Sequence, residues 1–183
     1  MTAMRKFLHL LETFNTYMLA AGRSVAWVLV ALMVGTILLQ VFYRYVLDSA
    51  LPWPEEVARA LMIWMMGLVA ASGYRWGAFV AIDMVGEMLP TLLQRLLKLF
   101  LLALALVVLA QLFYLAIEFF QRGFRTRAAS FHLPRAWIYL AMPVCFGSML
   151  LVNIEMLLRE IGRTFGNAED FPEPPRPTLT VAE

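Results

Sequence analysis

The sequence predicts an all-α membrane protein: four transmembrane helices, an N-terminal amphipathic surface helix, and a short interfacial helix between spans two and three. Three observations carry that expectation. Of 183 residues, 62% are hydrophobic and 15% charged, with mean hydropathy +0.73, whereas soluble domains hold roughly 45–50% apolar and about 25% charged residues. Four uncharged apolar stretches stand out, Ser24 to Phe42, Ala60 to Tyr74, Leu99 to Ile117 and Ala136 to Ile154, on the scale of the about 20 residues that cross a bilayer as a helix. Lys and Arg sit at the ends of these stretches, where the polar headgroups lie.

Ahead of the first span, Phe7, Leu10, Leu11, Phe14, Tyr17 and Met18 recur at helical spacing, with Arg5, Lys6, His9, Glu12 and Thr13 on the remaining positions. That pattern predicts an amphipathic helix lying on the membrane surface. The first span is placed at about residues 24–46. The second is the anomaly, because only 15 residues separate Arg59 from Arg75. At 1.5 Å per residue they reach about 22 Å, against a hydrocarbon core of roughly 30 Å. The helix must therefore start near Pro54 and run over about 54–75, which sets Arg59 inside it. There Arg59 has to snorkel, pair with Glu55 or Glu56, or face another protein.

Ala78, Ile82, Val85 and Leu89 form a further apolar stripe, with Asp83 and Glu87 beside it, and predict the interfacial helix. The third span, about 91–120, has Thr91 and Gln94 spaced as a capping box after Pro90. The fourth covers about 136–158, with Trp137 and Tyr139 as interfacial anchors, Pro143 as a kink, and Asn153 and Glu155 at its wet end. Residues 1–166 thus make one membrane domain. Residues 167–183, with Pro172, Pro174, Pro175 and Pro177 among acidic groups, are expected to form a disordered tail.

Counting Lys and Arg, a cytoplasmic N-terminus puts nine inside and six outside, which favours both termini in the cytoplasm. A formal charge of +2 gives no reason to expect nucleic acid as a partner. No cleaved signal peptide is expected, since the first apolar run begins only after Arg23 and is of full span length. His9 and His132 lie outside the spans and Cys145 is the only cysteine, so paired haem ligands, a thiol pair and a thiolate metal site are not provided for. Ser148 has no His in any span to activate it. No cofactor, metal or catalytic residue is expected. Mid-span polar groups are few, and Gln111 is expected to bond a neighbouring helix. Small residues four apart, Gly22 with Ala26, Ala31 with Gly35, and Gly67 with Ala71, are candidates for close helix packing. The classes that remain are an accessory subunit of a transporter, an autonomous small channel or transporter, and a membrane enzyme subunit.

The densest polar chemistry is Leu51-Pro52-Trp53-Pro54-Glu55-Glu56-Val57-Ala58-Arg59. Pro54 suits a first helical position, Glu55 and Glu56 meet the positive helix end, and Arg59 shares their face. Two compatible roles follow: a helix cap with internal pairing, or a contact with a partner.

The stretch Val41 to Val85 resembles the small membrane subunit, the Q or DctQ type, of tripartite ATP-independent periplasmic (TRAP) transporters. The resemblance rests on Phe42, Arg44 and Tyr45, then Pro52, Trp53, Glu55 and Glu56, then Arg59 and Trp64, and finally Arg75 and Asp83. One departure is Phe79, where the family commonly carries His. Leu133, Pro134, Trp137, Tyr139, Leu140 and Pro143 resemble the family's entry into its fourth span. The resemblance implies a non-catalytic subunit of the bacterial inner membrane that binds a large M-type membrane subunit and works with a periplasmic solute-binding protein. It also implies ion-gradient-driven uptake, usually of organic acids and with sodium, and makes the motif residues the candidate partner interface.

Overall fold

The computed structural model describes residues 2–49, 51–77, 90–126 and 134–165. The expected interfacial helix, with Phe79 and Asp83, and the Pro-rich tail lie outside the described residues. The elements are α1 (Thr2–Val46), α2 (Trp53–Arg75), α3 (Thr91–Gly123), α4 (Ala136–Tyr139) and α5 (Ala141–Phe165). Four stretches are long and apolar enough to cross a membrane, α4 and α5 together supplying the fourth. No β-strand occurs among the described residues.

The N-terminal segment departs from the expected separate surface helix. Residues 2–46 form one continuous helix of 45 residues, about 67 Å long at 1.5 Å per residue. Gly22 is itself helical and no proline or break interrupts the helix around Arg23, so nothing in the backbone turns its first third into the membrane plane. The stripe that packs is also not the one expected. Leu8, Asn15, Leu19, Gly22 and Ala26 are buried, whereas Phe7, Leu10, Phe14 and Tyr17 are exposed. Leu8, Glu12, Asn15, Leu19, Gly22 and Ala26 alternate steps of four and three, the spacing of a coiled-coil seam. Polar members in that seam hid it from an apolar-only pattern.

α1 ends at Val46, after which Asp48 takes a left-handed conformation at φ 48° that Asp tolerates better than most residues. The Ser49 N–H then donates to the Tyr43 carbonyl at 3.1 Å, satisfying a helix-end acceptor. α2 begins one residue before Pro54 and stops at Arg75, with Gly77 at φ +76° providing the left-handed stop. The expected capping box of α3 does not form. Pro90 is the N-cap, without a side-chain cap bond, and Thr91 is already helical. The fourth span breaks at Leu140, between α4 and α5, three residues before Pro143. The ring nitrogen of Pro143 cannot donate to the Tyr139 carbonyl, which loosens the ladder at that turn.

In space α1 packs on α2, α2 on α5, and α5 on α3, while the inner part of α1 also reaches α5. α2 and α3, neighbours in the chain, share no substantial contact. The helices therefore follow the order α1, α2, α5, α3. Glycines set the close approaches. A Cβ on Gly22 would stand 3.1 Å from the Leu68 carbonyl oxygen, one on Gly67 3.0 Å from that of Ala141, and one on Gly147 3.1 Å from the Phe113 ring. Ala71 is fully buried beside Leu19 and Val152. Ala31 and Gly35 are different: both are exposed, and a Cβ on Gly35 would meet nothing within 4 Å.

Gly67→Leu pushes α2 away from the α5 backbone and is expected to destabilise the detergent-purified chain by about 1–3 kcal/mol, the range for overpacking. Gly35→Leu, with open space around it, is expected to leave the thermal midpoint within about one degree of wild type. Thermal unfolding followed by circular dichroism checks both.

Candidate functional site

Charged and polar side chains gather at the two ends of the helices, and the ends are built differently. At the end nearer the N-terminus (the inner end), where α1 passes the last turns of α2 and the second half of α5, they are locked together. Glu155 is the centre, with a side chain only 1% exposed. Its Oε1 accepts from Arg75 at 2.9 Å and from Arg159 at 3.0 Å, and its Oε2 accepts from Asn15 Nδ2 at 2.7 Å. Arg159 reaches on to Glu12 at 3.2 Å. Arg75 also donates to Thr16 Oγ1 at 2.8 Å, while the Thr16 hydroxyl donates to the Glu12 carbonyl at 2.7 Å. Two arginines thus stand against two carboxylates, so the buried charges balance.

Two residues earlier on α5 a second link joins the other helices. The Tyr74 hydroxyl donates to Asn153 Oδ1 at 2.6 Å, and Asn153 Nδ2 donates to the Leu102 carbonyl at 3.1 Å. Asn153 on α5 thereby ties α2 to α3. Buried polar groups are tolerable only when bonded in this way. Among the described residues two buried side-chain atoms stay without a hydrogen-bond partner, Asn15 Oδ1 and Arg75 Nε. Helix ends favour the arrangement as well, since Arg75 closes α2 where the dipole is negative.

Asn153 and Glu155 are therefore not at a wet end. Both are buried, and with Arg75 they hold three spans against α1. Local sequence signals for this were thin: Glu155 and Arg159 are four apart, as a helical ion pair requires, but their partners lie 80 and more residues away.

The outer end is open. α2 starts at Trp53, as the span-length argument requires, with Glu55 and Glu56 in its first turn and Pro54 buried. Glu55 and Arg59 pair at 3.0 Å, and both side chains are 70% exposed. Arg59 thus takes the local partner while remaining on the outward surface, not buried in the chain. Arg44 lies in the last turn of α1, and Phe42, Arg44 and Tyr45 are all exposed. Trp64 is half-buried and donates from Nε1 to the Trp137 carbonyl at 3.1 Å, joining α2 to α4. Gln111 is exposed on α3; the expected bond to a neighbouring helix does not appear among the described residues.

The resemblance motif consequently splits in two. Trp53, Glu55, Glu56 and Arg59 mark the open end, and Arg75 belongs to the ionic centre some 16 residues along the same helix. Among the described residues no group of three or more His, Cys, Asp or Glu is placed to hold a metal ion. Ser148 donates to the Cys145 carbonyl at 2.8 Å, a common use of a hydroxyl within an apolar helix.

Residues 33–163 match the family described as tripartite ATP-independent periplasmic transporters, DctQ component. The chain belongs to that family. No curated protein matches it. As a DctQ-type subunit it is the small membrane component of a TRAP transporter, and four apolar helices make it a multi-pass membrane protein. The family also implies association with the large membrane subunit and the binding protein of the same system. In this DctQ-type subunit, Arg75 of the motif is an internal tie, and Glu55 and Arg59 are surface.

Glu155→Gln removes the shared counter-charge of two buried arginines and is expected to cost about 3–5 kcal/mol. Glu55→Gln breaks an exposed pair and is expected to cost less than about 1 kcal/mol. Parallel thermal unfolding of the two purified variants measures the contrast.

Proposed function

We propose that this subunit is a non-catalytic scaffold of the bacterial inner membrane, with both termini cytoplasmic. On this reading it enlarges the fixed part of the transporter against which the large subunit moves. Transport is then driven by an ion gradient, with sodium as the coupling ion, and takes up an organic acid delivered by the periplasmic binding protein.

The observation that carries the reading is the contrast between the two ends. Internal ion pairs tie Arg75, Arg159, Glu12 and Glu155 together at the inner end and rigidify it, while the outer end presents Glu55, Arg59 and Arg44 outward. A pump or channel acting alone needs ionisable groups or broken helices near mid-membrane. Here α1 carries no charge between Arg23 and Arg44, and α3 none between Lys98 and Glu118. With the N-terminus inside, the Glu55–Arg59 end is periplasmic, within reach of a docking binding protein. Gln111, exposed on α3 with apolar residues around it, suits a contact with a partner helix, because an amide in hydrocarbon needs a bonding partner.

Reconstitution separates these ideas. Large subunit alone in liposomes is expected to transport well below the rate of the pair; an equal rate refutes the scaffold. In the intact complex Arg59→Glu is expected to preserve assembly and lower binding-protein-dependent uptake by about tenfold, as a reversed rim charge weakens encounter. Unchanged uptake removes the docking role from this residue.

A further inference from the structure

Between α1 and α2, on the inner half of the membrane, lies an open groove of about 280 Å³ lined by Arg23, Ala26, Trp27, Val30, Met65 and Val69. Its shape follows from residue size. Gly22 lets the α1 backbone come close to the Leu68 carbonyl, Ala26 is buried, and Trp27 and Val69 stand exposed. The two backbones are thus held together at a floor of small side chains, beneath larger ones along the groove. Arg23, Ala26, Trp27 and Val30 follow one face of α1, so the groove runs along the helix for seven residues, about 10 Å. One end is at the boundary where the uncharged span begins; the other is in the hydrocarbon.

The boundary end carries a positive charge for which no described residue supplies a carboxylate. Arg23 donates to Ser72 Oγ at 3.3 Å, and its guanidinium carbon lies 5.0 Å from the centre of the Trp76 ring. Among the described residues no carboxylate pairs with Arg23, although Arg75, Arg159 and Arg163 all have one. A guanidinium offers five N–H donors, and among the described residues only one of them is spent, on Ser72. An apolar slot parallel to the membrane normal, with an unpaired cation at the headgroup level, matches one kind of molecule.

We propose that this groove is a binding site for an anionic phospholipid, with the phosphate on Arg23 and one acyl chain lying over Ala26 towards Val30 and Met65. Phosphate takes guanidinium donors well, and an acyl chain buries the apolar wall without leaving any polar group unsatisfied. A partner helix, about 10 Å across, lies over a slot of this size and cannot enter it. Net negative charge distinguishes the expected lipid from a zwitterionic one, because basic groups at the inner leaflet select anionic headgroups. The site stands on the groove and on Arg23, and holds whether or not the scaffold reading does.

Native mass spectrometry of the full purified chain, titrated separately with phosphatidylglycerol and phosphatidylcholine, tests it. The wild type is expected to retain phosphatidylglycerol preferentially. Arg23→Gln should lower phosphatidylglycerol binding about fivefold, the effect of one basic residue at an anionic surface, with phosphatidylcholine unchanged and Arg23→Lys restoring part of the preference. Val30→Phe, which narrows the groove without touching the α1–α2 floor, should weaken both lipids. Circular dichroism establishes that each variant keeps its helices. Equal binding of the two lipids to wild type, or phosphatidylglycerol binding indifferent to both Arg23→Gln and Val30→Phe, overturns the proposal. So does a photo-crosslinker at position 30 that, in the intact complex, captures a protein helix and no lipid.

Discussion

Everything at the inner end of this molecule depends on one carboxylate. Glu155 is almost fully buried and binds Arg75 of α2, Asn15 of α1 and Arg159 of its own helix. Taking charges out of water is costly, and a buried ion pair of good geometry does little better than break even against an apolar contact. The value of such a centre lies in specificity. Apolar side chains in a membrane gain little from choosing one neighbour over another, since lipid is as apolar as they are. A carboxylate with three donors on three helices accepts only one alignment, and slipping any helix by a turn leaves buried charge unpaired. Asn153 extends the same alignment to α3 through the Leu102 carbonyl.

Hydrocarbon contacts then complete what the polar groups select. Leu19, Ala71 and Val152 meet beside the ionic centre, with Met18, Tyr74, Met149 and Met156 around them. Towards the outer end, glycines take over. Gly67 brings α2 onto Ala141, and Gly123 brings the end of α3 so near α4 that a Cβ would lie 2.7 Å from the Ala136 Cα. Phe119 and Tyr139 pack there with ring centres 4.4 Å apart. Large apolar surfaces of α1 and α3 stay uncovered, including Trp27, Leu38 and Val107, as suits helices at the two edges of a row.

Much of this was legible in the sequence, and the illegible part has a clear cause. Span number follows from charge-free runs, and the start of α2 near Pro54 follows from arithmetic on Arg59 and Arg75. The Pro143 interruption follows from a missing N–H. These are local properties. Glu155 looked like the polar end of a helix because a single charge near a span boundary is ordinarily solvated. Its burial depends on Asn15 and Arg75, 140 and 80 positions earlier, and no local pattern reports such pairing. The seam of α1 was hidden because Glu12 and Asn15 occupy core positions, breaking the apolar periodicity that identifies a packed face. At the candidate interface three options stood open for Arg59, to snorkel, to pair with Glu55 or Glu56, or to face another protein, and within the chain it pairs with Glu55 while pointing outward.

The order of the helices bears on how the protein is made. α5 leaves the ribosome after α1, α2 and α3, yet it lies between α2 and α3. Arg75, Asn15 and Thr16 are therefore synthesised well before the carboxylate that binds them, and the α2–α3 pair has no mutual interface to hold it meanwhile. α1 and α2 can pair through Gly22 beforehand, but α3 lacks a neighbour until α5 arrives between it and α2. Truncating the chain before residue 155 leaves Arg75 without the carboxylate that neutralises it.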